Sequence, residues 1–208
     1  MRVLFIGDSI TDCGRREDEE KIGSGYVRVI HDYLKTTNPK QSYEVINRGI
    51  GGNRVTDLEA RWQEDVIELS PDFVSISIGI NDVWRQLDNQ GDEQVYPDQF
   101  EQVYTKLLTQ VKEETNAKII LMEPTIIEED IKAVGNKKLK AYVEIVQTLA
   151  KRFDATLVPT HQAFLDYLKA NNSYKLTTDG VHMNTAGNML MAITWLRNVE
   201  LGTKVMVN

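Results

Sequence analysis

The run Val3-Leu4-Phe5-Ile6 ends in Gly7-Asp8-Ser9, and much further along stands Asp179-Gly180-Val181-His182. The first segment presents a serine at the end of a buried strand. The second holds a carboxylate and an imidazole three residues apart. A serine hydroxyl is a weak nucleophile until a base takes its proton, and a histidine is an effective base once its other ring nitrogen is held by an acceptor. Ser9, His182 and Asp179 therefore form a minimal set for acyl transfer through a covalent intermediate, provided the two ends of the chain meet. The spacing lets one tight turn carry the Asp179 carboxylate to Nδ1 of His182, and Gly180 permits the backbone such a turn needs. Alone, an aspartate in this position also reads as a turn or helix cap.

Such chemistry needs donors aimed at the oxyanion. The candidates are the amide of Ser9, that of Gly52 within Gly49-Ile50-Gly51-Gly52-Asn53, and the side-chain amide of Asn81 within Gly79-Ile80-Asn81-Asp82. Glycine pairs also mark turns, and Asn-Asp also caps helices. The argument for function is that one candidate stands at the end of each of the first three strand-like runs. Asp8 reads as a residue that fastens the nucleophile's loop by hydrogen bonds. Trp84 and Arg85 follow Asn81 closely and either wall the pocket or pack in the core or at the surface. With Asp8 and Val181 they complete the candidate pocket residues. His31 falls inside a helical pattern and reads as a partly exposed helix residue. His161 reads as a capping or solvated residue, and Cys13 as a buried structural thiol.

The elements that position these groups follow from hydrophobic pattern. Short apolar runs rich in β-branched residues occupy 2–6, 43–47, 72–78, 117–122 and 155–158, as for strands buried on both faces. Between them, Tyr26, Val29, Ile30, Tyr33 and Leu34 recur at helical spacing. So do Phe100, Val103, Tyr104, Leu107, Leu108 and Val111, and then Tyr142, Ile145, Val146 and Leu149. Further helices are expected over 54–67, from His161 onward, and from about Thr185 to Arg197. The segment 85–96 reads as a polar loop. Strand–helix alternation implies a parallel sheet covered by helices on both faces. In a 2-1-3-4-5 strand order the three candidate loops are neighbours at the carboxyl edge, where such sheets bind ligands. One domain over 1–198 accounts for the pattern, with 199–208 as a peripheral extension.

Composition narrows the function classes. The 208 residues carry a net charge of -7, with 41% hydrophobic and 26% charged residues. That is an ordinary soluble composition, and it lacks the basic face of a nucleic-acid binder. One cysteine allows no intramolecular disulfide, which fits a reducing compartment, and no apolar run reaches membrane-spanning length. A cytoplasmic enzyme without membrane or nucleic-acid partners is the expectation. The chain has no G-x-G-x-x-G after the first strand, no phosphate-binding G-x-x-x-x-G-K-[ST], no G-x-S-x-G elbow and no zinc-ligand spacing.

Gly7-Asp8-Ser9-Ile10 resembles the first block of the GDSL, or SGNH, hydrolases, with Ile10 in place of leucine. The remaining blocks follow in order, with glycine at Gly52, asparagine at Asn81 and histidine at His182, so that the resemblance spans residues 7 to 182. It implies a flavodoxin-like α/β/α sandwich and an esterase needing no metal or organic cofactor. Ser9 would be the nucleophile, His182 the base and Asp179 its orienter, with Ser9, Gly52 and Asn81 as the oxyanion hole. The stretches 7–15, 58–67 and 78–85 are similar to those of bacterial intracellular acetylxylan esterases in this family. They imply a small ester substrate, an acetylated oligosaccharide, and are compatible with a homo-oligomer. The competing readings are a lysophospholipase or thioesterase of the same family, and a non-catalytic carbohydrate-binding domain of the same fold.

Overall fold

The computed structural model describes residues 1–88, 91, 93–170 and 173–201. The five apolar runs form strands β1 (Arg2–Gly7), β2 (Glu44–Gly49), β3 (Phe73–Ser77), β4 (Lys118–Met122) and β5 (Thr156–Val158). They pair in parallel in the order β2-β1-β3-β4-β5, the order expected from the sequence. Parallel neighbours need crossover connections, and helices supply them. α1 (Ser9–Asp12) and α2 (Tyr26–Thr37) lead from β1 to β2. α3 (Val55–Glu59) and a π-helical turn (Gln63–Ile67) lead to β3. α4 (Ile80–Asp88) and α5 (Pro97–Glu114) lead to β4, and α6 (Val134–Arg152) leads to β5. α7 (Thr160–Lys169) and α8 (Thr185–Asn198) close the fold.

Alternation along the strands sends side chains to two layers. Phe5 of β1 meets Tyr26 of α2 and Trp195 of α8, with ring centroids 6.0 and 5.4 Å away. Trp195 also donates its indole N–H to Ser75 Oγ of β3 at 3.0 Å, so a polar side chain in a central strand is satisfied. In another layer Phe100 of α5 stacks edge-on with Tyr104 and with Tyr142 of α6. These aromatics are almost wholly buried, and each contributes on the order of 2–3 kcal/mol by leaving water.

Register sets the site's location. Gly7 of β1 lies opposite Gly49 of β2 and Ser77 of β3, so the three strands end level. Backbone from β3 and from α1 crowds these strand ends. A Cβ on Gly7 would stand 2.2 Å from Ser77 O, and one on Gly49 2.2 Å from Asp12 N. Only glycine permits this approach.

Two local readings change. The helix expected over 54–67 breaks after α3 and resumes as the π-helical turn. The break aims Arg61 at the strand ends, where its guanidinium donates to Gly7 O at 3.2 Å, Arg48 O at 2.8 Å and Asn53 Oδ1 at 2.9 Å. Asp65 balances its charge at 2.6 Å. The polar loop expected over 85–96 begins later, because Arg85 to Asp88 are the end of α4. Val83 and Leu87 pack inward on that helix, giving it an apolar face beneath a polar sequence. Residues 89, 90 and 92 lie outside the described set. So do 202–208, but Val199 and Leu201 are buried, and the packed body continues past the boundary expected at 198. Among the described residues no helix is long and apolar enough to cross a membrane.

Candidate active site

Ser9 owes its position to the residue before it. Asp8 caps α1 with extended backbone, and its Oδ1 accepts the Ile10 N–H at 2.9 Å, so the chain turns from strand to helix with Ser9 at the corner. The turn is fastened below. Asn47 donates to Thr11 O at 2.6 Å and Ile22 O at 2.7 Å, and Thr11 Oγ1 lies 3.1 Å from Tyr26 Oη. Asp8 thus holds the loop as expected. Cys13 ends the helix in the left-handed conformation, φ 39°. It is half-buried, with Sγ 3.7 Å from Ser24 Oγ, and so is not the buried thiol the sequence suggested. The turn that carries it curls back at the surface.

The other end of the chain folds into a small hairpin. Thr177 and Met183 form an antiparallel bridge, Thr178 N donates to His182 O at 2.8 Å, and Asn184 N to Leu176 O at 2.9 Å. At its tip Asp179 Oδ1 accepts the N–H groups of Val181 at 3.0 Å and His182 at 2.8 Å. Asp179 Oδ2 lies 2.6 Å from His182 Nδ1. Gly180 provides the turn with φ 95°. Partial burial pushes the Asp179 carboxyl up, but hydrogen bonds from the His182 ring and from the His182 and Val181 backbone outweigh it and hold the group at about 2.

The two ends meet. His182 Nε2 lies 2.9 Å from Ser9 Oγ across 173 residues of sequence. A carboxylate at Nδ1 requires the proton there, which leaves the Nε2 lone pair to accept from the serine hydroxyl. The geometry is a hydroxyl, an imidazole and a carboxylate in line.

The glycine and asparagine loops flank this line. A Cβ on Gly51 would lie 3.8 Å from Ser9 Cβ, so the loop after β2 abuts the serine, and Gly52 follows with φ 80°. Asn81, only 7% exposed, donates one N–H to Asn53 O at 3.0 Å, which fixes the amide and leaves its second N–H. Trp84 tilts over His182 with ring centroids 5.9 Å apart. Arg85 reaches the Gly52 loop, since a Cβ there would meet its Nη2 at 3.3 Å. Val181 and Asp8 are packed in, at 3% and 1% exposure, and offer a ligand little surface. The other histidines lie apart. His31 is buried with Nδ1 2.8 Å from Asp32 Oδ1. His161 neither caps nor faces water. It is buried, and its Nδ1 donates to Thr125 O at 2.5 Å, because the chain leaving β4 runs past the start of α7 with a carbonyl that needs a donor.

Sequence reasoning passed over Asp82, next to Asn81. Its Oδ1 accepts Val55 N at 3.1 Å and ties α4 to α3, while Oδ2 is buried without a partner. Burial raises Asp82 to about 7, with Asp8 adding repulsion. Burial likewise raises Asp8 to about 7, against the Ile10 N–H and His182. A carboxyl raised in the fold binds protons more tightly there than in the unfolded chain. Its contribution is complete below pH of roughly 4 and is lost as pH rises through about 7. Asp82→Asn keeps the acceptor for Val55 N and removes the titration. Its Tm relative to the parent should therefore rise between pH 5 and pH 8, and a constant difference would contradict a neutral Asp82. Among the described residues no group of three or more His, Cys, Asp or Glu is placed to hold a metal ion.

A family model described as the GDSL-like lipase/acylhydrolase family matches residues 5–190. An acetylxylan esterase of Geobacillus stearothermophilus is 40% identical over 205 residues, 95% of this chain and 93% of that one. A solved variant of Axe2, an acetyl-xylooligosaccharide esterase of that organism, superposes with a TM-score of 0.88 at 40% identity, covering 95% of this chain and 93% of the other. LAE5, an alpha/beta hydrolase enzyme from the metagenome of Lake Arreo, Spain, gives 0.87 at 34% identity over 94% and 93%. Three Axe2 variants described as catalytic mutants each replace one residue, a serine, an aspartate or a histidine, the last two standing three positions apart.

Proposed function

Because the chain belongs to the GDSL-like lipase/acylhydrolase family, we propose that it removes O-acetyl groups from xylo-oligosaccharides through an acyl-enzyme on Ser9. It is a carboxylic ester hydrolase. The observation that carries the mechanism is the 2.9 Å contact between Ser9 Oγ and His182 Nε2, backed by 2.6 Å between His182 Nδ1 and Asp179 Oδ2. In the acylation step Ser9 Oγ attacks the acetyl carbonyl while its proton passes to Nε2. The resulting imidazolium is stabilised by the Asp179 carboxylate. The carbonyl oxygen, now an oxyanion, accepts hydrogen bonds from the Ser9 and Gly52 amides and from the free N–H of Asn81. On collapse, the sugar oxygen leaves with the proton from His182. Water enters, gives its proton to Nε2 and releases acetate and Ser9 by the same path in reverse.

The acetyl–xylose preference is supported by the Geobacillus stearothermophilus relatives, whose similarity covers 95% of this chain. A cytoplasmic location belongs to the same reading and is supported by the lone Cys13, which forms no intramolecular disulfide. The deciding experiment is a series of esters from acetylated xylobiose through p-nitrophenyl acetate to octanoyl and lysophospholipid substrates. kcat/KM should be highest for acetyl esters and fall as the acyl chain lengthens. A rise toward octanoyl would assign the protein to lipid acyl hydrolysis. Binding of acetylated xylobiose without release of acetate would make it a binding domain.

A further inference from the structure

The hairpin that presents Asp179 and His182 is gripped from outside by residues with no place in the chemistry above. Glu129, in the segment between β4 and α6, directs Oε1 at the arm of the hairpin that leads to Asp179. That one oxygen accepts Leu176 N at 3.0 Å, Thr177 N at 2.8 Å and the Thr177 hydroxyl. Next to it, Glu128 N donates to Gly180 O at 2.7 Å, at the turn between the aspartate and the histidine. Contact is close, since a Cβ on Gly180 would lie 3.4 Å from Glu128 Cα.

The gripping segment is itself held in an unusual shape. Glu128 has φ 67°, a conformation that residues other than glycine rarely adopt and that persists where surroundings over-determine it. Those surroundings are the buried Asn136 side chain at the start of α6. It accepts Ile127 N at 2.8 Å and donates to Glu128 O at 3.0 Å and Asp130 O at 2.7 Å. A continuous set of hydrogen bonds thus runs from α6 through 127–130 to the hairpin and on to the imidazole. A carboxylate that accepts several N–H and O–H groups at one oxygen makes strong, charge-assisted bonds.

We propose that Glu129 is a positioning residue for the Asp179–His182 pair, fixing the hairpin so that Nε2 meets Ser9 Oγ at bonding distance. The inference rests on the reading of Ser9 and His182 as nucleophile and base. Proton transfer in the acylation step tolerates little misplacement, so a slack hairpin lowers turnover more than substrate binding.

The test compares Glu129→Ala and Glu129→Gln with the parent on p-nitrophenyl acetate, counting active sites with a fluorophosphonate. Proton NMR follows the far-downfield resonance of His182 Nδ1–H. Glu129→Ala should lower kcat per active site by about 10- to 100-fold with little change in KM, and the downfield resonance should vanish. Glu129→Gln, which keeps a carbonyl oxygen in place, should recover most of both. Parent-like kcat and resonance in the alanine variant would overturn the proposal, and so would a loss shared equally by kcat and KM with the resonance kept. If Glu129→Ala does not fold, Thr177→Val decides. A smaller fall in kcat at unchanged KM supports the proposal, and parent kcat overturns it. Ser9→Ala is run alongside. Activity surviving there sinks the nucleophile assignment, whereas parent-like Glu129→Ala beside an inactive Ser9→Ala sinks only the role of Glu129.

Discussion

Ser9→Ala should lower kcat for p-nitrophenyl acetate by roughly 10⁴-fold or more while leaving the thermal unfolding curve in place. The size follows from what is removed. His182 Nε2 loses the hydroxyl at 2.9 Å, and no acyl-enzyme forms. What survives is the oxyanion donors and binding alone, which still orient a water molecule poorly against the carbonyl. Stability should hold because the turn is built by other groups. Asp8 caps α1, Asn47 braces Thr11 O, and the glycine contacts between strand ends are untouched. An alanine protein with near-parental turnover would remove Ser9 from the reaction. An unfolded one would show that the hydroxyl is structural.

Asp179→Asn should cost on the order of 10³- to 10⁴-fold in kcat, with a folded protein. The asparagine keeps Oδ1 as acceptor for the Val181 and His182 N–H groups, so the hairpin tip stays formed. The change falls on the other atom. An NH₂ facing His182 Nδ1 donates where Oδ2 accepted, so Nδ1 must give up its proton and the ring takes the other tautomer. Nε2 then carries a hydrogen and no longer accepts from Ser9. The imidazolium that forms during attack also loses its counter-charge. A loss below tenfold would mean that the carboxylate only shapes the turn. The half-exposed position of Asp179 favours the lower end of the range, because water partly replaces the lost charge.

Much of this arrangement is legible in the residues themselves. The five strands announce themselves as short runs rich in β-branched and apolar residues bounded by turns, as strands covered on both faces should be, with Val3 to Ile6 the plainest case. α2, α5 and α6 follow from 3–4 spacing. Asp179 and His182 are readable as a pair because one turn contains the whole interaction. Their meeting with Ser9 is readable only through topology, since it depends on β1 lying between β2 and β3 and on α8 folding back against α2. α4 is hidden because Asn81, Asp82, Arg85 and Gln86 give its sequence a loop-like polarity, although Asn81, Asp82 and Gln86 all make tertiary hydrogen bonds. The same holds for Arg61, Asp82, Glu129 and Asn136. Arg61, Asp82 and Glu129 act on backbone groups far away in sequence and Asn136 on the turn six to nine residues before it, and nothing local distinguishes them from the solvated charges and amides elsewhere in the chain. His161 misleads for the reverse reason. A histidine after Pro-Thr looks like a helix start at the surface, but its surroundings are set by the carbonyl of Thr125.

The most direct test is to react the protein with a fluorophosphonate to completion and locate the adduct by peptide mass spectrometry. One phosphonyl group per chain on Ser9, with loss of activity in proportion, is the predicted result. A stoichiometric adduct elsewhere, at Cys13 for example, or full inactivation with Ser9 unmodified, would contradict the account.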